Sequence, residues 1–405
     1  MTKKIKVYPW TFRNRQEVNQ LFEQIGVDNQ AWDLMNDKTK SKCLLIDQLS
    51  MAGSNVLKQT ALSQGAEAAV HGGIINGTAS HSKVLLSGTP VQLRKIAEKI
   101  KIQQFNLKQT SQQIIEILDD QDKIYQWNLG GYQIKLDHPV IVGILNLTPD
   151  SFYDGGKHNQ ADQAVEYALN MAEQGADIID IGGESSRPGS TPLDPGQEQQ
   201  RILPVIEKLK NQITIPLSVD TRNPQTADFA CSLGCSIIND ISGVENPAMI
   251  EIIKKYSTGV VLMHKQGNPQ TMQNNPFYQN PYVEITDYLE QRISYLKSHH
   301  ITTEQIVADP GFGFGKNLQH NLNILNHLGD MQKYLHRPVF VGISRKSMIK
   351  LLGGGELAEQ RLPASLGLSV LSLIQGIRIF RTHDVEETRT CLQTVFNATG
   401  GKLWM

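Results

Sequence analysis

The chain has 405 residues, 40% of them hydrophobic, and a formal net charge of −1, the profile of a globular protein long enough for more than one core. That balance gives no general attraction to nucleic acid or an anionic membrane, so any anion site must be built locally. The opening Met1-Thr-Lys-Lys-Ile-Lys6 has no apolar core of signal-peptide length, and no run approaches the ~18 apolar residues of a membrane span; a cytoplasmic protein is expected. Four cysteines, Cys43, Cys231, Cys235 and Cys391, are too few for a disulfide framework at this length. Cys231 and Cys235 share a helix face but lack a second Cys/His pair, so buried thiols are expected rather than zinc.

In chain order, Gly65-Ala-Glu-Ala-Ala-Val70, His71-Gly-Gly73 and Leu85-Leu-Ser-Gly-Thr89 suggest a small α/β domain. Thr89-Pro90 reads as an N-cap with proline at the first helical position. Residues 107–127 are rich in Gln and Asp, and Gly130-Gly131 signals a turn. The boundary is expected at about 128–137, with domains over 1–130 and 138–405.

Beyond it, short apolar runs alternate with amphipathic stretches. The runs are Val140–Leu145, Ile178–Ile181, Pro216–Val219, Ser236–Ile238, Gly259–Met263, Ile306–Ala308, Pro338–Ile343 and Ile377–Phe380. Continuous runs of this kind suit parallel strands buried on both faces. Between the first two, Ala164, Val165, Ala168, Leu169 and Ala172 share one helical face, and Gly175 is placed to end the helix. Residues 283–297 and 364–375 behave similarly. Eight runs with crossovers predict an α/β fold, a (β/α)8 TIM barrel with a smaller N-terminal α/β domain; an open doubly wound sheet is the alternative.

Each run delivers polar residues at its C-terminal end, the face on which barrels build active sites. The first ends in Asn146 and Thr148-Pro-Asp-Ser151, and the second in Asp180 and Gly182-Gly-Glu-Ser-Ser-Arg-Pro-Gly189. Asp220-Thr-Arg222, Asn239-Asp240, His264-Lys265, Asp309–Lys316, Ser344-Arg-Lys-Ser347 and Arg381-Thr-His-Asp384 follow the others. Asp220, Asn239 and Asp309 would converge as partners for a flat heterocycle with several N–H donors. Taken singly, Asp220 reads equally well as a helix cap, and Asp309 as the opening of a turn. Lys316, Arg345, Lys346, Arg381 and His383 would supply positive potential at the same rim for a phosphorylated ligand. Gly311-Phe-Gly-Phe-Gly-Lys316 has neither phosphate-loop nor dinucleotide spacing.

Residues 139–405 resemble bacterial dihydropteroate synthases. The motifs that carry the likeness are Gly143–Phe152 with Asp154-Gly-Gly156, Asp180–Gly189, Ser218–Thr221, Ile238–Gly243, Asp309–Lys316, Gly342–Ser347 and Arg381–Asp384. The resemblance implies a transferase of folate biosynthesis that joins 6-hydroxymethyl-7,8-dihydropterin diphosphate to 4-aminobenzoate. It implies a pterin site of Asp180, Asp220, Asn239, Met263, Asp309 and Lys346, and an aminobenzoate site of Ser185, Ser186, Arg187, Pro188, Phe314 and Ser344. Asn146, Arg381 and His383 would contact the diphosphate, with Asn146 as ligand to Mg2+. Asp220, Asp309, Lys346, Arg381 and His383 would be the catalytic set. Loops 147–157 and 184–195 would close over the substrates. A homodimer acting on small molecules, and a sulfonamide target, are further implications.

Two departures stand out: Ser186, where the family more often has threonine, and Arg361-Leu-Pro-Ala-Ser365, in which Pro363 could shift a helix start. Alternative readings are a pterin-binding methyltransferase domain and a non-catalytic pterin-binding scaffold. The methyltransferase would not need Ser186–Gly189 or Ser344–Lys346, and the scaffold would be expected to lack Asn146, Arg187, Lys346 or Arg381. The first ~130 residues offer no catalytic cluster, so a structural or assembly role is expected for them.

Overall fold

The computed structural model describes residues 8, 12, 15–119, 125–147, 157–184, 193–267 and 270–401. They fall into two compact units, Met1–Lys123 and Ile124–Met405.

The first unit begins with helices α1 (Arg15–Ile25) and α2 (Trp32–Asn36). There follow β1 (Lys42–Ser50), α3 (Met51–Ser63), β2 (Glu67–Ala69), α4 (Gly72–Ile75), β3 (His81–Gly88), α5 (Pro90–Ile100) and α6 (Leu107–Asp119). The strands form an antiparallel sheet in the order β1-β3-β2. Along β3, Ser82, Val84 and Leu86 are buried while His81, Lys83 and Leu85 are exposed, the period-two alternation of a sheet packed on one face. Val84 and Leu86 meet Leu57 and Ala61 of α3 and Leu93, Ile96 and Ile100 of α5. Helix α5 starts where the sequence places it. Thr89 and Gln92 form a capping box, with Pro90 in the first turn.

The second unit opens with a hairpin of β4 (Gln126–Leu129) and β5 (Tyr132–Lys135), turned by Gly130 and Gly131 at positive φ. Eight strands then alternate with helices: β6 (Val140–Asn146), α7 (Lys157–Glu173), β7 (Ile178–Gly182), α8 (Pro195–Leu209), β8 (Leu217–Asp220), α9 (Pro224–Ser232), β9 (Ile237–Asp240) and α10 (Pro247–Tyr256). The series continues with β10 (Gly259–Met263), α11 (Pro281–Ser298), β11 (Ile306–Asp309), α12 (Leu318–Asn326), α13 (Leu328–Leu335), β12 (Phe340–Val341), α14 (Ser347–Leu351), α15 (Leu362–Ile374), β13 (Ile379–Thr382) and α16 (Val385–Ala398). Each of the eight runs expected as strands overlaps one, most of the strands extending one or two residues further towards the C-terminus. They pair in parallel in the order β11-β10-β9-β8-β7-β6-β13-β12. A parallel bridge between Ala308 and Val339 joins the two ends, giving the TIM barrel. Pro363 lies in the first turn of α15, where a missing N–H costs nothing.

Side-chain parity sorts the barrel into layers. Val140, Val142, Ile178, Ile237, Val261, Val307, Phe340 and Ile379 point inward and form one cluster. Ile141, Leu145, Ile179, Ile181, Ile238, Val260 and Leu262 point outward to the helices and join the larger core. Two residues after each inward apolar residue of β7, β9, β11 and β13 come Asp180, Asn239, Asp309 and Arg381. The interior is therefore apolar at its N-terminal end and polar at its C-terminal mouth.

The hairpin closes the apolar end. Tyr125, Trp127, Leu129 and Leu136 belong to the same cluster as the inward strand residues. Trp127 is fully buried, and its indole Nε1 donates to the Gln305 carbonyl at 2.9 Å. The division between the units thus falls at Lys123/Ile124, ahead of the expected 128–137, because residues 125–136 are bound to the barrel through packing that no local pattern reveals. Replacing Trp127 by Ala removes a buried indole and orphans that carbonyl. We expect roughly 3–5 kcal/mol of barrel stability to be lost, read as a lower urea midpoint for the barrel; an unchanged midpoint would show that the hairpin is not part of the barrel's folding unit.

Candidate active site

The polar layer is organised around one guanidinium. Asp180 sits near the end of β7, fully buried. Its Oδ1 accepts from Ser218 Oγ at 2.6 Å; its Oδ2 accepts from Asn239 Nδ2 at 3.0 Å and from Arg381 Nε at 2.6 Å. Arg381 Nη2 then reaches Asp220 Oδ2 at 2.9 Å. Strand register makes this possible, since Asp180 lies beside Ser218 and Asp220 beside Asn239. Asp220 is thus no helix cap; Asn223 caps α9 instead.

The electrostatics follow from burial. Desolvation, reinforced by Asp180 and opposed by Arg381, pushes the Asp220 carboxyl up to about 7. Burial also raises Asp309, against the pull of Lys346 and the Gly311 N–H. Lys346 is drawn down to about 8 by desolvation, against Asp309. Asp309 does open a turn, its Oδ1 accepting from Gly311 N at 2.7 Å, but it also faces Lys346. In this arrangement Lys346 Nζ donates to the Phe312 carbonyl at 2.5 Å and lies 4.8 Å from the centre of the Phe314 ring. Met263 pairs with Asp309 in register and is buried beneath the mouth. The Oδ1 of Asn239 is buried with no partner among the described residues, an acceptor able to take an N–H donor.

On the other side, Ser344 Oγ lies 3.0 Å from His383 Nδ1 and accepts from the His383 backbone N–H at 3.2 Å. Asp180, Asp220, Asn239, Met263, Asp309, Lys346 and Arg381 therefore line one mouth, with Ser344 paired to His383, and Phe314 against Lys346. Ser185, Ser186, Arg187 and Pro188, with Thr148–Ser151, lie outside the described residues. Two rim cations are corrected. Lys316 is buried, its Nζ enclosed by the Gly311 and Phe314 carbonyls and by His264. Arg345 is spent on both carboxylate oxygens of Asp384. Neither is placed to meet a phosphate. Cys231 and Cys235 are free, buried thiols, as expected.

Sequence reasoning missed Ser218, a hydroxyl within a buried strand, and the ion pair of Arg222 with Glu184 at 2.9 Å. A polar residue inside an apolar run was the available signal for the first; the second joins distant positions.

For a metal ion, the described residues contain no group of three or more His, Cys, Asp or Glu able to hold one. Asn146 ends β6, half-buried, with its amide bonded to no other described residue. One amide oxygen suits Mg2+, which keeps several waters and binds through few protein groups plus substrate phosphates; it does not suit a resident all-protein site.

Residues 142–383 match the family described as pterin binding enzyme. The chain belongs to the pterin-binding enzyme family. Among pterin-binding relatives, the dihydropteroate synthase of Escherichia coli K12 is 42% identical over 65% of this chain and 93% of its own length. The bifunctional dihydropteroate synthase/dihydropteroate reductase of Helicobacter pylori is 32% identical over 92% of this chain and 94% of its own. The dihydropteroate synthase of Xanthomonas albilineans, solved in complex with 7,8-dihydropteroate, is 37% identical, covers 68% of this chain and 98% of its own, and has a TM-score of 0.62. The orphaned Asn239 oxygen and the Asp220 and Asp309 carboxylates line this mouth as hydrogen-bond acceptors.

The Asp220 titration gives the fold a pH signature. Its carboxyl is raised from 3.8 to about 7 on folding, so the folded state binds the extra proton between those values. Stability from this group is complete below pH 4 and lost as pH rises through 7. The Tm of Asp220→Asn minus that of the parent should therefore grow between pH 4 and 7 and level off above. A difference constant over that range would exclude the raised carboxyl.

Proposed function

We propose that the barrel mouth condenses 6-hydroxymethyl-7,8-dihydropterin diphosphate with 4-aminobenzoate to give 7,8-dihydropteroate and diphosphate, the dihydropteroate synthase step of folate biosynthesis. The observation that carries this is the Asp180–Arg381–Asp220 bridge beside the partnerless Asn239 oxygen, in a chain of the pterin-binding family. Asp220, Asn239 and Asp309 accept the N–H groups of the pterin, Lys346 donates to its carbonyl side, and Met263 packs against the ring. Asp180 acts from beneath, holding Asn239 and Arg381 in place.

The C–O bond to the diphosphate breaks and its electron pair leaves with the phosphate oxygens. Arg381 and His383 face the departing charge. Asn146 would hold a Mg2+ ion arriving with the diphosphate, and that ion would supply further neutralisation of the charge. The electron-rich dihydropterin carries the positive carbon, the buried carboxylates of Asp220 and Asp309 favour it, and the neutral aryl amine then forms the C–N bond and sheds its proton to water. Ser344 and Phe314, with Ser185, Ser186, Arg187 and Pro188, take the aminobenzoate, and sulfonamides compete there. The near-neutral charge, and the lack among the described residues of a helix able to cross a membrane, support a cytoplasmic enzyme that binds neither nucleic acid nor membrane. It acts as a homodimer.

The test combines purified chain, dihydropterin diphosphate, labelled 4-aminobenzoate and Mg2+. Labelled dihydropteroate should form only with both substrates. Turnover should fall at least ~100-fold in Lys346→Ala and in Arg381→Ala, as for loss of a charged group acting on a developing charge. Normal turnover in both variants would remove these residues from the reaction, and intact pterin binding without product would favour the scaffold.

A second activity is favoured by one observation: the H. pylori relative named as a bifunctional synthase and reductase aligns over 92% of this chain, which includes residues N-terminal to the barrel. On this reading the N-terminal unit serves reduction of the dihydropteroate C=N bond, with hydride from a reduced flavin or nicotinamide and a proton from water. Full-length chain given 7,8-dihydropteroate with reduced flavin or nicotinamide should yield tetrahydropteroate; no product with any of these donors would return the N-terminal unit to a structural role.

A further inference from the structure

The segment Gly311–Gly315, between β11 and α12, belongs to neither a helix nor a strand, yet all five of its carbonyls are occupied. Lys316 Nζ donates to Gly311 O and Phe314 O, each at 2.9 Å. Lys346 takes Phe312 O, Gln273 takes Gly313 O, and Tyr278 OH takes Gly315 O at 3.0 Å. Gly311, Gly313 and Gly315 all have positive φ, a conformation that favours glycine. The segment also lies directly on the chain that follows β10. A Cβ on Gly311 would come within 2.0 Å of His264 O, and one on Gly315 within 2.4 Å of Gln266 O.

Lys316 joins these two chains. Besides the two loop carbonyls, its Nζ lies 3.0 Å from His264 Nδ1 and 3.4 Å from His264 O. His264 is one residue beyond Met263, and its backbone N–H donates to Asp309 O at 2.9 Å. Its ring packs edge-on against Tyr288, and burial with Lys316 lowers it to about 2, so the imidazole is neutral. One buried amine therefore ties the Met263 side of the mouth to the segment that carries Asp309 at its start and Phe314 near its end. Without it, the Gly311 and Phe314 carbonyls would lose this buried donor, and a buried carbonyl left short of partners is costly enough to move the backbone.

We propose that Lys316 is a positioning residue for the pterin site: by gathering the Gly311 and Phe314 carbonyls against His264, it sets the Asp309 carboxylate where a pterin N–H meets it. This rests on the reading that Asp309 binds the pterin. Lys316 does not touch the ligand; it acts through the loop.

The experiment is a double-variant cycle in the full-length chain, with 6-hydroxymethylpterin as probe and calorimetric Kd as readout. Asp309→Asn and Lys316→Met should each weaken binding by roughly tenfold or more. The double variant should bind within about twofold of Asp309→Asn alone, because the two changes act on one contact. Parental affinity in Lys316→Met, or fully additive losses, would overturn the proposal. Parental affinity in Asp309→Asn would instead remove the pterin reading of Asp309, a separable failure. Should Lys316→Met lose the parental circular dichroism, Lys316→Gln is measured in the same cycle. If neither variant folds, Lys316 is a folding residue and the proposal is overturned.

Discussion

A single arginine between two aspartates sets the terms for the whole barrel mouth. Asp180 is completely buried, and Asp220 lies on the adjacent strand. Two carboxylates at such spacing would repel and protonate without a cation between them. Arg381 reaches from β13, across the mouth, to join both. Because the guanidinium is planar and always charged, it fixes their separation as well as their charge. Asn239 is then held on Asp180 with its oxygen turned away and unpaired. The ligand-facing acceptor is thus a consequence of the ion pair beneath it.

The same economy governs the other half of the site. Asp309 and Lys346 face each other, one with its proton affinity raised by burial and the other with its own lowered. Each is less solvated than in water and is correspondingly ready to exchange its present partner for a ligand group. Lys346 occupies the Phe312 carbonyl and the face of Phe314. Neither contact is a full countercharge, so the ammonium keeps the capacity to serve another acceptor, such as the pterin carbonyl proposed for it. Stability comes from elsewhere. The inward apolar layer and the hairpin that caps it supply a core at the opposite end, which leaves the mouth free to be polar and strained.

Much of this was legible in the sequence because barrel physics repeats. Each strand announced itself as a short apolar run with polar residues at its C-terminal end; that Asp180, Asn239, Asp309 and Arg381 turn inward, two residues beyond an inward aliphatic, emerged only with the strand pairing of the barrel. Local capping chemistry was equally readable, as at Thr89 and Gln92. Illegible features were those decided by partners far away in the chain. Lys316 and Arg345 look like rim cations until the His264 ring and Asp384 are brought to them. Residues 125–136 look like the tail of a preceding domain until Trp127 meets the Gln305 carbonyl. A lone charge in a sequence carries no record of what neutralises it; that information is in the fold.

The two carboxylates proposed to face the pterin, Asp220 and Asp309, differ in how they are held. Asp309 keeps the Gly311 N–H whatever Lys346 does, so it can stay in place throughout a turnover. Among the described residues, the charged partner holding Asp220 is Arg381, and Arg381 is also the cation proposed for the diphosphate. Drawing the guanidinium towards a diphosphate would leave Asp220 desolvated and short of a partner, and the pterin N–H groups are the donors available to it. Diphosphate and ring are then coupled through one side chain: each makes the other's contact more favourable, and a pterin without its diphosphate must compete with Arg381 for the carboxylate. By the same logic, departure of diphosphate returns Arg381 to Asp220 and loosens the product.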